Sequence, residues 1–127
     1  MTPEQTIHGF LTAAAPGVTF YGGRLPAGGG AYPAAVWVLA TQSPEHVTAP
    51  LSRCIVYLSV YGERDKPAET DALGWQLYRA LHGAAGGDVR LCTCVTRGMA
   101  TIDPDTARPV GRATYEMRLV MAGAEED

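Results

Sequence analysis

Cys92-Thr93-Cys94 is the stretch of this chain that most invites chemistry. Two thiols one residue apart suggest a metal or a redox pair, yet zinc sites and thioredoxin-type motifs want two intervening residues and, for zinc, a second ligand pair. Only Cys54 remains, and it lies far away in sequence. Free cysteine packs as a small hydrophobe, so all three are read as buried structural thiols. His8, His46 and His82 fall on a first helix, in a loop and at the end of a second helix, none beside another ligand. Asp103 and Asp105 imitate the start of a calcium loop, but its glycine position is Arg108 and its terminal glutamate position is Thr114. Turn chemistry accounts for these aspartates better. Ser43, Ser52 and Ser59 lie in no Gly-x-Ser-x-Gly elbow. Glu69 and Asp71 stand two apart on a helix and face different ways. Tyr57, Tyr61, Trp75 and Tyr78 could stack nucleic-acid bases, but aromatics dominate cores and subunit interfaces, which is the reading taken. The residues therefore point to no catalytic centre, no metal site and no cofactor.

The glycine-rich segment GGRLPAGGGAYP, residues 22–33, raises the question of a phosphate cradle. Such cradles aim backbone N–H groups at the anion from a helix N-terminus and add Lys followed by Ser or Thr. Neither follows here, because the next residues, AAVWVLAT, read as a strand. The segment is a loop with slack.

These absences sit in a chain with an ordinary globular balance: 127 residues, 46% hydrophobic, 18% charged and a net charge of -3. That is one domain's worth of sequence, able to bury a core without staples. We assign it to residues 1–122 and read 123–127, which end in EED, as a disordered acidic tail. The acidic balance disfavours tight nonspecific binding of nucleic acid, which needs many phosphate-neutralising side chains. No apolar run approaches a membrane span of about 20 residues, and MTPEQTIHG lacks the pattern of a signal peptide. With an odd number of cysteines, the expectation is a soluble protein of a reducing compartment.

The elements follow from period and punctuation. Thr2, Pro3 and Gln5 make a capping box over a helix from 2 to 15, with Ile7, Phe10, Leu11 and Ala14 on one face. VTFY, residues 18–21, is a short strand. AAVWVLAT from 34 is continuously apolar, which predicts a central strand covered on both faces, with residues 42–50 as a turn or loop. In the third strand Cys54, Val56, Leu58 and Val60 share the core face. A helix begins near Pro67, with Leu73, Leu77, Ala80 and Leu81 as its buried stripe. Two more strands follow. In the first, Val89, Leu91, Thr93 and Val95 alternate with Arg90, Cys92, Cys94 and Thr96; in the last, Tyr115, Met117, Leu119 and Met121 share a face. Between them, residues 97–109 with DPDTARP form a long hairpin with a mobile tip. The class is α+β: a largely antiparallel, mixed sheet of four to five strands with two main helices on one face.

The order of the capped helix, YGGRLP, YPAAVWVLA, SRCIVYLSVYGE, AETDALGWQLYRALHG and RATYEMRLVM resembles the phage tail-terminator and tail-completion family across nearly the whole chain. The short AGGG tract and the small residues after Pro33 depart from that pattern and affect the detail of the loop. The resemblance implies a structural protein with no enzyme activity and no cofactor, assembled in the bacterial host cytoplasm and carried in the virion tail. It implies a homo-oligomer, a ring of six subunits that caps the tail tube and later meets the head–tail connector protein. Membrane and sequence-specific nucleic-acid partners are not implied. On this reading the 22–33 loop and the 97–109 hairpin are docking elements, with Arg24, Leu25, Tyr32, Arg97, Met99 and Ile102 as candidate contact residues. Three alternatives stand beside it: another head–tail neck completion protein; a small α+β enzyme or ligand-binding domain that uses Cys92 or Cys94 with a histidine brought near by folding; and a nucleic-acid binder, whose affinity would fall steeply with salt.

Overall fold

The fold is that of a computed structural model, which describes residues 2–26, 32–44 and 51–120. The AGGG tract, residues 45–50, Met121 and the acidic tail lie outside the described residues. Helix α1 spans Pro3–Ala14 and begins as its capping residues dictate: the Thr2 hydroxyl accepts from the Gln5 N–H and the Gln5 side chain accepts from the Thr2 N–H. It buries Ile7, Phe10 and Leu11. Strand β1 (Thr19–Gly22) follows, then β2 (Ala34–Pro44), β3 (Leu51–Tyr61), α2 (Pro67–Leu81), β4 (Val89–Arg97), β5 (Thr101–Ile102) and β6 (Pro109–Val120).

The sheet has six strands, more than the four to five expected, because the short β5 adds itself to β6 within the long hairpin. Its order is β1-β2-β3-β6-β4; β1 runs parallel to β2 and every other pairing is antiparallel. Both helices lie against one face, where a single core joins Ile7, Phe10 and Leu11 of α1 and Leu77 and Leu81 of α2 to the inward residues of the strands. In β3 these are Cys54, Val56, Leu58 and Val60; in β6, Tyr115, Met117 and Leu119. The α+β class and the alternation of both strands are as the sequence dictates.

Three local expectations need correction. Strand β2 is covered on both faces only from Ala34 to Trp37; beyond it Val38 is exposed, and the strand continues to Pro44 where a loop from 42 was expected. In β4 the simple alternation fails: register shifts between Val89 and Leu91 and between Cys94 and Thr96 turn Val89 and Cys92 inward and leave Leu91 and Val95 exposed. In α2 the fully buried residues are Thr70, Leu77 and Leu81, while Leu73 and Ala80 are half-buried. Thr70 is buried because Gly62, at the exit of β3, lets it pack where any Cβ would overlap its hydroxyl.

Candidate docking surface

The two segments expected to dock meet at one end of the sheet. Tyr32, the first described residue after the glycine tract, lies under Arg108, whose guanidinium carbon stands 3.6 Å from the ring centroid. Arg108 Nη1 also donates to the Gly62 carbonyl at 3.4 Å, so one side chain ties the loop, the hairpin and the β3–α2 junction together. Below them Ala34, Tyr61 and Val110 share a row across β2, β3 and β6, with Ala34 and Val110 buried. The Tyr61 phenol titrates above its usual range, chiefly through burial and then through the Asp103 carboxylate, with Arg112 opposing.

The hairpin tip is held rather than loose. Asp103 is buried and its Oδ2 accepts from the Thr106 N–H (3.1 Å) and hydroxyl (2.8 Å), while its backbone exchanges bonds with Arg108 and Ala107. Ala107 sits at φ 57, the left-handed conformation that closes the turn. Arg112 approaches Asp103 at 3.8 Å from β6. On the other side, Asp71 Oδ1 of α2 accepts from the Ala100 N–H at 2.6 Å, and the Asp71 carbonyl accepts from Arg97 Nη2 at 3.1 Å. The expected mobile tip thus carries anchors at both flanks, a local one around Asp103 and a distant one from Asp71 of α2.

Of the six candidate contact residues, Arg24 is exposed and Leu25 and Tyr32 are half-buried. Arg97 turns toward α2: its guanidinium stands 4.0 Å over the Trp75 ring and its Nε is buried without a hydrogen-bond partner. Met99 and Ile102 are 78% and 59% exposed. Trp75, read from the sequence as a core or subunit-interface aromatic but not among the six, is half exposed and held in place by Arg97 and by an edge contact with Tyr78; sequence reasoning missed Arg108 and Asp71 as anchors. An available signal was Asp71 and Trp75 one helical turn apart on the first half of a helix.

The thiols are not poised for reaction. Burial pushes Cys54 up to about 11 and Cys92 up to about 12, and Cys94 also titrates high because burial outweighs its bond to Tyr115 and the Arg97 charge. His82 does come beside Cys94, but its Nδ1 accepts from the Cys94 backbone N–H at 3.0 Å, while the thiol donates to the Thr96 carbonyl. Among the described residues no three His, Cys, Asp or Glu side chains gather as a metal site, and no helix is long and apolar enough to cross a membrane.

No family model matches the chain, and no curated protein matches it. Among solved structures, the chain is similar in fold to a chain of the virion of a native gene transfer agent particle, with a TM-score of 0.56 and 14% identity, over 86% of this chain and 83% of that one.

Proposed function

We propose that this protein is a structural subunit of a phage-like particle, and that within the particle it acts as a tail terminator, a ring of six copies that caps the tail tube and offers the surface for the head connector. The observation that carries the coarser part is the fold likeness to a virion chain, which spans most of both chains and so concerns the whole architecture, not one motif. The finer part rests on the family resemblance of the sequence and on a surface suited to assembly. Met99, Ile102 and Trp75 expose large apolar groups at positions fixed by the Asp71, Arg97 and Asp103 contacts. Trp75, already held by Arg97 and Tyr78, loses little freedom on docking, which favours binding. The thiols titrate high and His82 is engaged by backbone, which gives no support to the activated cysteine that the enzyme alternative requires.

A cyclic ring needs two unlike patches per subunit, one meeting the other on the next copy. The hairpin end and the exposed sheet face that carries Val38 and Tyr57 supply two such patches. The test is the mass of the protein in solution, alone and mixed with a tail-tube subunit, with electron microscopy of the assembled species. A ring that forms with the tube subunit is expected, and Met99→Ser with Ile102→Ser should leave the fold intact while weakening tube capture at least tenfold. Capture by a connector subunit but not by the tube would move the protein to the neck and sink the terminator reading.

A further inference from the structure

Strand β4 closes one side of the sheet, and the N–H and C=O groups on its outer side would otherwise stand open for pairing. The structure fills them in an unusual way. At Cys92 the backbone after α2 serves: Gly83 N–H donates to the Cys92 carbonyl at 2.7 Å and the Cys92 N–H donates to the Ala84 carbonyl at 2.8 Å. Two residues on, at Cys94, the acceptor is a side chain, His82 Nδ1 at 3.0 Å. His82 completes a stripe of α2 and its exit, with Asp71, Trp75 and Tyr78 at steps of four, three and four. Asp71 and Trp75 hold Ala100 and Arg97 at the far end of the same edge. Tyr78 stacks on the imidazole, centroids 5.0 Å apart and planes 10° apart, and fixes its orientation.

An imidazole accepts at Nδ1 only when neutral, with its proton on Nε2; the imidazolium has two donors and no acceptor. It is also the side chain suited to changing charge between pH 5 and 8. We propose that His82 is a pH-operated cap on the β4 edge: the neutral ring closes the Cys94 amide, and the protonated ring releases it and opens the edge at that point. Tyr78 of its own helix stacks on the ring and the Cys94 amide meets Nδ1, while the Cys94 thiol turns to the Thr96 carbonyl and itself feels the Arg97 charge and Tyr115 of β6. Among the described residues no carboxylate pairs with His82. Protonation therefore sets an N–H against an N–H, with no paired carboxylate among the described residues to offset it. The inference is independent of the assembly role.

The test is amide hydrogen exchange by NMR on the full chain at pH 7.5 and pH 5.0, read as protection relative to the intrinsic rate at each pH. The Cys92 amide, bonded to backbone, serves as the internal reference. In the unaltered protein, Cys94 protection should fall about five- to tenfold at pH 5.0 while Cys92 holds, the size expected for one net hydrogen bond. His82→Gln keeps an acceptor that does not titrate and should hold Cys94 protection at both pH values. His82→Phe keeps the stack without an acceptor and should show the low value at both. Equal Cys94 protection at the two pH values in the unaltered protein, or a His82→Phe amide as protected as the unaltered one at pH 7.5, overturns the proposal.

Discussion

The two faces of the β3–β6 ladder are built on one register and carry opposite chemistry. Inward, Cys54 stands across from Met117, Val56 from Tyr115 and Leu58 from Ala113, beneath both helices. Outward, Arg53 stands across from Arg118, Ile55 from Glu116 and Tyr57 from Thr114, and among the described residues no helix lies over them. Two arginines placed directly opposite repel each other, and Glu116 relieves this by reaching Arg53 at 2.9 Å and Arg118 at 3.9 Å. Tyr57 is left 52% exposed beside Val38, its neighbour across β2. A period of two separates the residues that hold the fold from those available to a partner. Substitutions on the two faces should therefore separate stability from assembly.

The largest effect is expected inside. Tyr115 is a fully buried large side chain touching the cores of both β4 and β6, so Tyr115→Ala should cost about 3–5 kcal/mol in denaturant unfolding. A loss below about 1 kcal/mol would mean that the helices do not pack on this face. Gly62→Ala should cost up to about 3 kcal/mol, since the added methyl collides with Thr70 at the junction that leads into α2. Gly9→Ala, at an open position on α1, serves as the harmless control.

The inner face should also make the fold sensitive to alkali. Cys54 and Cys92 titrate at about 11 and about 12 in the folded chain against an ordinary 9.0, because burial disfavours the thiolate, and Tyr115 shifts upward for the same main reason. A folded-state pKa above the unfolded one means that the folded chain binds the proton more tightly. This contribution is complete below about pH 9 and is lost as pH rises toward 11 and 12. Unfolding midpoints should fall from pH 9 upward, and the fall should be shallower in Cys54→Ala with Cys92→Ala. An unchanged slope in that double variant would remove the thiols as its cause.

How much of this was legible depends on whether the deciding partner was near in sequence. The Thr2–Gln5 box is complete within one helical turn, and the alternation of β3 and β6 is written residue by residue, so α1 and the core face could be read directly. The register shifts in β4 could not, because a bulge is defined by the strand opposite, and Leu91 and Val95 look like core until β6 is in place. The hairpin from 97 to 109 has the composition of a loose turn, and beside the local Asp103–Thr106 bonds it is restrained by Asp71 and Gly62, many residues earlier. Arg97 and Trp75 illustrate the same point: the sequence presents one as a contact group and the other as a core or interface aromatic, and only their stacking shows a fixed surface pair.

The smallest effect on stability and the sharpest use of the comparison lie outside, at Tyr57. Its side chain is half exposed on a face without a helix, so Tyr57→Ser should change monomer stability by no more than about 0.5 kcal/mol. If the outer face is one of the two unlike patches of a ring, the same substitution should still lower the fraction of assembled rings, since an exposed aromatic beside an aliphatic neighbour is the kind of anchor that interfaces concentrate upon. Glu116→Gln makes the matched control: it loosens two partly exposed ion pairs worth about 1 kcal/mol or less and leaves the apolar pair of Val38 and Tyr57 in place. Sedimentation of the three proteins with a tail-tube subunit separates the cases. Rings that persist in Tyr57→Ser would take this face out of the interface, so that the hairpin end, where Met99, Ile102 and Trp75 stand exposed, would have to meet a different patch of the next copy.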